Sequence, residues 1–133
     1  MMDSHVKRRE NLKMNYFVLG TNNLEASTRF YNRLFDATEF HQTFSTDRMS
    51  FWQGEDVESA FAIALPFNGK AATFGNGTMI GFTVENAKEV SRLYKLAIQL
   101  GGRCEGEPKI RGPRFSAYAR DLDNNKLCFG SLL

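Results

Sequence analysis

Apolar positions along this chain follow two periods, and the periods alternate in a fixed order. A short run with strand character, "NYFVLG", is followed by a stretch with helical spacing from about Leu24 to Phe35, where Phe30, Tyr31, Leu34 and Phe35 cluster on one side. A second strand-like run, "MIGFTV", is followed by another helical stretch from Asn86 to Leu100, whose apolar stripe is Ala87, Val90, Leu93, Tyr94, Ala97 and Ile98. Asn22 or Asn23 can cap the first helix, and Glu25 stands in capping-box register with Asn22. Asn86 and Glu89 form the same pattern at the second helix, which Gly101-Gly102 stops. After each helix come three segments with strand character. They are Thr38–Ser45, Arg48–Gln53 and Ala60–Leu65, then Arg103–Lys109, Arg114–Asp121 and Lys126–Ser131.

The two halves overlay with an offset of 63 residues: Tyr16 falls on Met79, Leu19 on Phe82, Asn23 on Asn86 and Tyr31 on Tyr94. The repeated unit is βαβββ. Repeat one is expected over residues 14–65 and repeat two over 79–133. Residues 66–78, rich in Gly and Asn and containing Pro66, join them.

Composition narrows the class. A chain of 133 residues, 42% apolar and 24% charged, suits one globular domain. Twelve Phe, four Tyr and one Trp point to a dense core or an aromatic-lined pocket. The net charge of +2 comes entirely from residues 1–13, "MMDSHVKRRENLK", which read as a flexible leader without the apolar segment of a secretory signal. The remaining residues balance to zero, so neither nucleic acid nor a membrane surface is an expected partner. No apolar run approaches the length of a bilayer span. Cys104 and Cys128 make no CxxC pair or disulfide framework, and a reducing cytoplasm is the expected compartment.

Three stretches, taken in order, resemble one known family. "YFVLGTNNLEASTRFYNRLF" resembles the opening of the vicinal oxygen chelate superfamily, which includes glyoxalase, bleomycin-resistance and extradiol dioxygenase proteins. "GNGTMIGFTV" is similar to the start of that family's second half. "FSAYARDLDNNKL" is similar to its closing stretch, usually an aromatic, two small residues, Tyr and then Arg-Asp-Pro-Asp-Gly-Asn-Lys. Leu122 replaces the usual Pro and Asn124 the usual Gly; Asn tolerates the left-handed backbone such a turn needs. The resemblance implies an α+β fold: two βαβββ modules whose mixed sheets curl into a cup with the helices outside. It also implies a homodimer, since relatives commonly complete the cup with a second chain.

Strand alternation agrees with two unlike faces. Phe17, Leu19, Ile80, Phe82, Val84, Leu127 and Phe129 are uniformly apolar and suit the helix side. Tyr16, Val18, Gly20, Met79, Gly81, Thr83, Lys126, Cys128 and Gly130 suit a ligand-facing wall.

Metal-binding relatives take ligands from four strand positions, typically His or Gln on the first strand of each half and Glu on the last. Carried over, these positions are Tyr16, Met79, Cys128 and, by the same offset, Leu65. None is an imidazole, carboxylate or amide, which hard and borderline divalent ions require. Thioether and thiol suit only a soft ion such as Cu(I). The histidines are His5, in the leader, and His41, after the first helix; they form no cluster. No metal or cofactor is expected.

Cys128 reads as pocket lining, its reactive alternative lacking a paired base although Lys126 shares its face. Arg111 and Arg114 are candidates for the mouth of the cup, and Tyr118 is an inward hydrogen-bond donor. Phe51 and Trp52 alternate, so one of them faces the cup. If Leu65 faces it, Phe61 and Ile63 do too. "RGPRFSAY" mimics an RNA-recognition pattern at Arg111, Gly112, Phe115 and Tyr118, but Pro113 and Arg114 spoil it.

The expected ligand-binding set is therefore Tyr16, Val18, Phe61, Ile63, Leu65, Met79, Arg114, Tyr118 and Cys128, with no catalytic residue assigned. The expected function is metal-free binding of a small, largely apolar or aromatic molecule, by sequestration in one form. The alternatives are a metal-dependent or Tyr/Cys-assisted lyase, isomerase or dioxygenase, and an interaction protein whose sheet serves only dimerisation.

Overall fold

Two asparagines set the frame. Asn23 Oδ1 accepts from the Ala26 amide at 3.0 Å and Asn86 Oδ1 from the Glu89 amide at 3.0 Å, so each satisfies an otherwise unpaired donor at a helix start. In the computed structural model, which describes residues 8–55 and 58–133, these caps open α1 (Leu24–Leu34) and α2 (Ala87–Gln99). The strands are β1 (Tyr16–Gly20), β2 (His41–Ser45), β3 (Met49–Gln53), β4 (Ala60–Ala64), β5 (Met79–Thr83), β6 (Arg103–Arg111), β7 (Arg114–Arg120) and β8 (Lys126–Leu132).

The order is βαβββ twice, giving two mixed four-stranded sheets, β1-β4-β3-β2 and β5-β8-β7-β6. In each, the first strand runs parallel to the last and the other pairings are antiparallel. Of the expected leader, residues 1–7 lie outside the described residues; residues 8–15 carry no regular structure, and Lys13 pairs with Glu58 at 2.9 Å. No helix among the described residues is long and apolar enough to cross a membrane.

One side of each sheet is covered by its helix, and these covered sides meet in a shared core. Phe82 on β5 packs against Phe35, Phe61 and Phe129, with ring centroids 5.6, 5.7 and 5.9 Å away. Trp52, fully buried, donates its indole N–H to Asn32 Oδ1 at 2.8 Å, as a buried indole must.

Polar groups also join the modules. Tyr31 on α1 donates its hydroxyl to Asp121 Oδ2 at 2.5 Å across 90 residues of chain. The same carboxylate accepts from Asn125 Nδ2 and from the amides of Asp123 and Asn125, each at 2.9 Å. Asp123 accepts from Thr21 Oγ1 at 2.6 Å and the Asn22 amide at 2.9 Å, and Asn125 Nδ2 donates to the Gly20 carbonyl. The turn between β7 and β8 is thereby bolted to the corner between β1 and α1. Asn124 takes φ 71° there, the one non-glycine among the described residues with positive φ.

Candidate functional site

Strand register decides which side chains share the uncovered face of each sheet. In the first, Tyr16 lies beside Ala60, Val18 beside Ala62 and Gly20 beside Ala64, while Ala62 also opposes Phe51. The alanines leave room above β4, and aromatic rings occupy it. Tyr16 and Phe51 approach to 5.9 Å between centroids, and Phe51 and Phe44 to 5.7 Å. Phe51 is thus on the open face and Trp52 in the core, which resolves the alternation of that strand.

The same register corrects three expected site residues. Phe61 and Ile63 alternate with these alanines and point to α1, 2% and 0% exposed, with the Phe61 ring 4.8 Å from Tyr31. Phe61 reaches only a cleft of about 290 Å³ between the modules, bounded also by Phe17, Phe40 and Met79. Leu65 lies one residue beyond β4, where its amide donates to the Arg48 carbonyl and its carbonyl accepts from Arg48 Nη1. The cause is a change of offset within the repeat. Met79 stands 63 residues after Tyr16, but Lys126 stands 66 after its register counterpart Ala60, because β6 and β7 are longer than β2 and β3. The counterpart of Cys128 is Ala62.

The second sheet presents a different chemistry on its open face. Met79, Gly81 and Thr83 of β5 lie beside Lys126, Cys128 and Gly130 of β8, which oppose Arg120, Tyr118 and Ser116 of β7. Arg114 opposes Leu132 on the same face. The Nε–Nη2 edge of its guanidinium faces Gly130, where a β-carbon would come within 3.0 Å of Nη2, and it reaches Thr83 Oγ1 at 3.3 Å. The glycine thus lets one arginine of β7 cross β8 and touch β5. Arg111 and Lys126 both stand over the Tyr118 ring, 5.1 Å from its centroid. Arg111 is held in place by the Ser116 and Glu107 carbonyls.

Cys128 sits at the centre of this face, half-buried, hydrogen-bonded to Tyr118 and within electrostatic reach of Arg114, Arg111 and Lys126. Burial pushes its thiol up, and that outweighs the Tyr118 bond and the three cations, which pull the other way. It is a protonated thiol at neutral pH, not an activated nucleophile.

Tyr16, Val18, Met79, Arg114, Tyr118 and Cys128 therefore all lie on open sheet faces, Tyr16, Val18 and Met79 about half exposed. Phe44, Phe51 and Lys126 join them; the alternation of "MSFWQ" and the pairing of Tyr118 with Cys128 are the signals that locate them. The larger clefts, about 540 Å³ beside Arg48 and Phe67 and 390 Å³ between Arg29, Arg33 and Leu122, lie elsewhere.

The four positions that would serve a metal are Tyr16, Ala62, Met79 and Cys128. Ala62, like Leu65, has no donor atom, and the set does not fit a hard or borderline divalent ion. Among the described residues no three His, Cys, Asp or Glu side chains converge as a metal site. His41 is exposed on β2, its Nδ1 3.2 Å from the Glu39 carbonyl, and His5 lies outside the described residues.

Residues 13–129 match the profile of the Glyoxalase/Bleomycin resistance protein/Dioxygenase superfamily. A glyoxalase/bleomycin resistance protein from Albidiferax ferrireducens aligns at 30% identity over 90% of this chain and 98% of that one, with a TM-score of 0.81. A glyoxalase-related enzyme from Fulvimarina pelagi aligns at 22% identity over 90% and 87%, with a TM-score of 0.75. Lactoylglutathione lyase from Agrobacterium tumefaciens aligns at 17% over 92% and 95%, with a TM-score of 0.69. No curated protein matches the chain.

Proposed function

Because the chain belongs to the glyoxalase/bleomycin resistance protein/dioxygenase superfamily, we propose that it uses its open sheet faces to hold a small, largely apolar or aromatic molecule without a metal ion. The observation that carries this reading is the row Tyr16–Phe51–Phe44 laid over alanines. It offers stacking surface, with Val18 and Met79 adding half-exposed apolar area. The set Tyr16, Ala62, Met79 and Cys128 lacks the imidazole and carboxylate donors a hard or borderline Lewis acid needs, so the guest is held by packing and hydrogen bonds. Sequestration is the form of activity this supports.

A homodimer belongs to the same reading. The faces expose Tyr16, Val18, Phe44 and Met79, so a second copy would enclose a guest and cover apolar surface at once.

The test is metal analysis of purified protein, dialysed with and without added Ni, Zn, Mn and Fe, beside a thermal-shift screen of aromatic compounds. Metal well below one ion per chain and stabilisation by a subset of compounds are expected. Stoichiometric metal that survives dialysis would replace this reading with a lyase, isomerase or dioxygenase. A screen without a single hit would leave the sheet faces as an assembly surface only.

A further inference from the structure

The cations of the second sheet are not arranged as structural charges usually are. Arg120 shows the ordinary case: its guanidinium meets Glu105 at 3.1 Å and the Asn124 carbonyl at 2.9 Å. Arg111, Arg114 and Lys126 have no carboxylate within ion-pair distance among the described residues, although they share one face and surround one sulfur. Three positive charges gathered in this way repel one another, and among the described residues only carbonyls, the Tyr118 ring and the electrostatic reach of Glu105 to Lys126 relieve it, none of them as an ion pair. The acids nearest in sequence form no ion pair with the three. Glu105 is taken by Arg120, and Glu107 meets Arg111 through its backbone carbonyl. Cys128 remains a thiol and adds no negative charge.

The three side chains are also held ready. Two carbonyls fix Arg111 over the Tyr118 ring, Gly130 and Thr83 seat Arg114 across the sheet, and Lys126 rests over Tyr118. Arg111 Nη1 and Nη2 each already donate to a carbonyl, while Arg114 Nη1 and Lys126 Nζ have no hydrogen-bond partner among the described residues and are free to meet an oxyanion. Beside the cluster the face turns apolar at Met79, next to Lys126 across the β5–β8 pair.

We propose that Arg111, Arg114 and Lys126 form an anion subsite around Cys128 and Tyr118, so that the guest is an amphipathic acid, its aromatic or apolar body on the sheet and its carboxylate or phosphate on these cations. This deepens the preceding reading and rests on it. Met79 supplies apolar area beside the cluster on the same sheet, and the cations supply the charge that orients the guest. The Tyr118 hydroxyl and the Cys128 thiol lie at the same spot as neutral hydrogen-bonding groups.

A matched pair of probes separates the two claims: 2-naphthoate and 2-naphthamide, equal in ring and nearly so in shape, titrated by calorimetry. The carboxylate should bind about tenfold more tightly than the amide, a difference of about 1.4 kcal/mol. The preference should shrink as salt is raised and fall to near twofold in Arg114→Gln and in Lys126→Gln. Arg29→Gln, on the far side of α1 and paired with Glu25, should leave it unchanged. Thermal unfolding of each variant checks that the fold persists, and the salt series on the unaltered protein gives a second readout independent of any substitution. Equal binding of both probes overturns the anion subsite and leaves the aromatic-binding reading standing. Failure of both probes to bind overturns the two together.

Discussion

Replacing Tyr31 by Phe removes one oxygen from the best-buried polar junction of the molecule, and the cost follows from its surroundings. Tyr31 is 0% exposed and Asp121 5%. The carboxylate loses one of four donors and keeps those from Asn125 and the Asp123 amide. A hydrogen bond to a charged group contributes about 1.5–3 kcal/mol, and the lower desolvation cost of Phe offsets a little of it, so the expected loss is about 2 kcal/mol. Urea denaturation followed by Trp52 fluorescence reads it directly, since the indole lies 5.7 Å from the Tyr31 ring. The same pair has a pH signature. Burial first, then the charge and hydrogen bond of Asp121, hold the Tyr31 phenol well above its ordinary pKa. A group raised in the folded state contributes fully below its unfolded pKa, about 10, and loses that contribution as pH rises beyond it. The advantage of the unaltered protein over Tyr31→Phe should therefore hold to about pH 10 and shrink above it. A loss under about 0.5 kcal/mol at neutral pH, or a difference that stays flat through the alkaline range, would refute the account of this junction.

Two further outcomes follow from the faces of the sheets. Phe61→Ala should cost about 3–5 kcal/mol in the same denaturation assay, whereas Tyr16→Phe, a change on a half-exposed side chain, should stay within about 0.5 kcal/mol. In timed alkylation with iodoacetamide at neutral pH, read by mass spectrometry, exposed Cys104 should be modified before Cys128, whose thiol is half-buried and held protonated.

The repeat, both helices and all eight strands were legible because helical and strand periods alternate so cleanly in this chain. Phe82, Leu127 and Phe129 fell on the helix side as parity required. Legibility failed where the argument needed a count rather than a period. Offset arithmetic put Leu65 opposite Cys128, but the longer β6–β7 hairpin shifts the match to Ala62, and the faces of Phe61 and Ile63 follow that error. Thr38 has strand propensity, yet its hydroxyl bonds the Phe35 carbonyl and accepts from the Phe40 amide, so β2 begins only at His41. At α1 the cap is Asn23, while Asn22 accepts from the Ala72 amide and Glu25 pairs with Arg29. Net charge, zero over residues 14–133, says nothing of where cations stand; parity put Lys126 on the face of Cys128 and offered Arg111 and Arg114 for the mouth of the cup, and strand register gathers all three on one face.

The bolt between Asp121 and Tyr31 bears on how the polypeptide matures at the ribosome. When residues 14–65 have emerged, Tyr31 has no acceptor, Thr21 and Asn22 have nothing to bind, and Phe35 and Phe61 lack the ring of Phe82. The earlier of the two look-alike halves is thus completed by residues translated only after α2 and β7, so the two mature as a pair rather than in sequence.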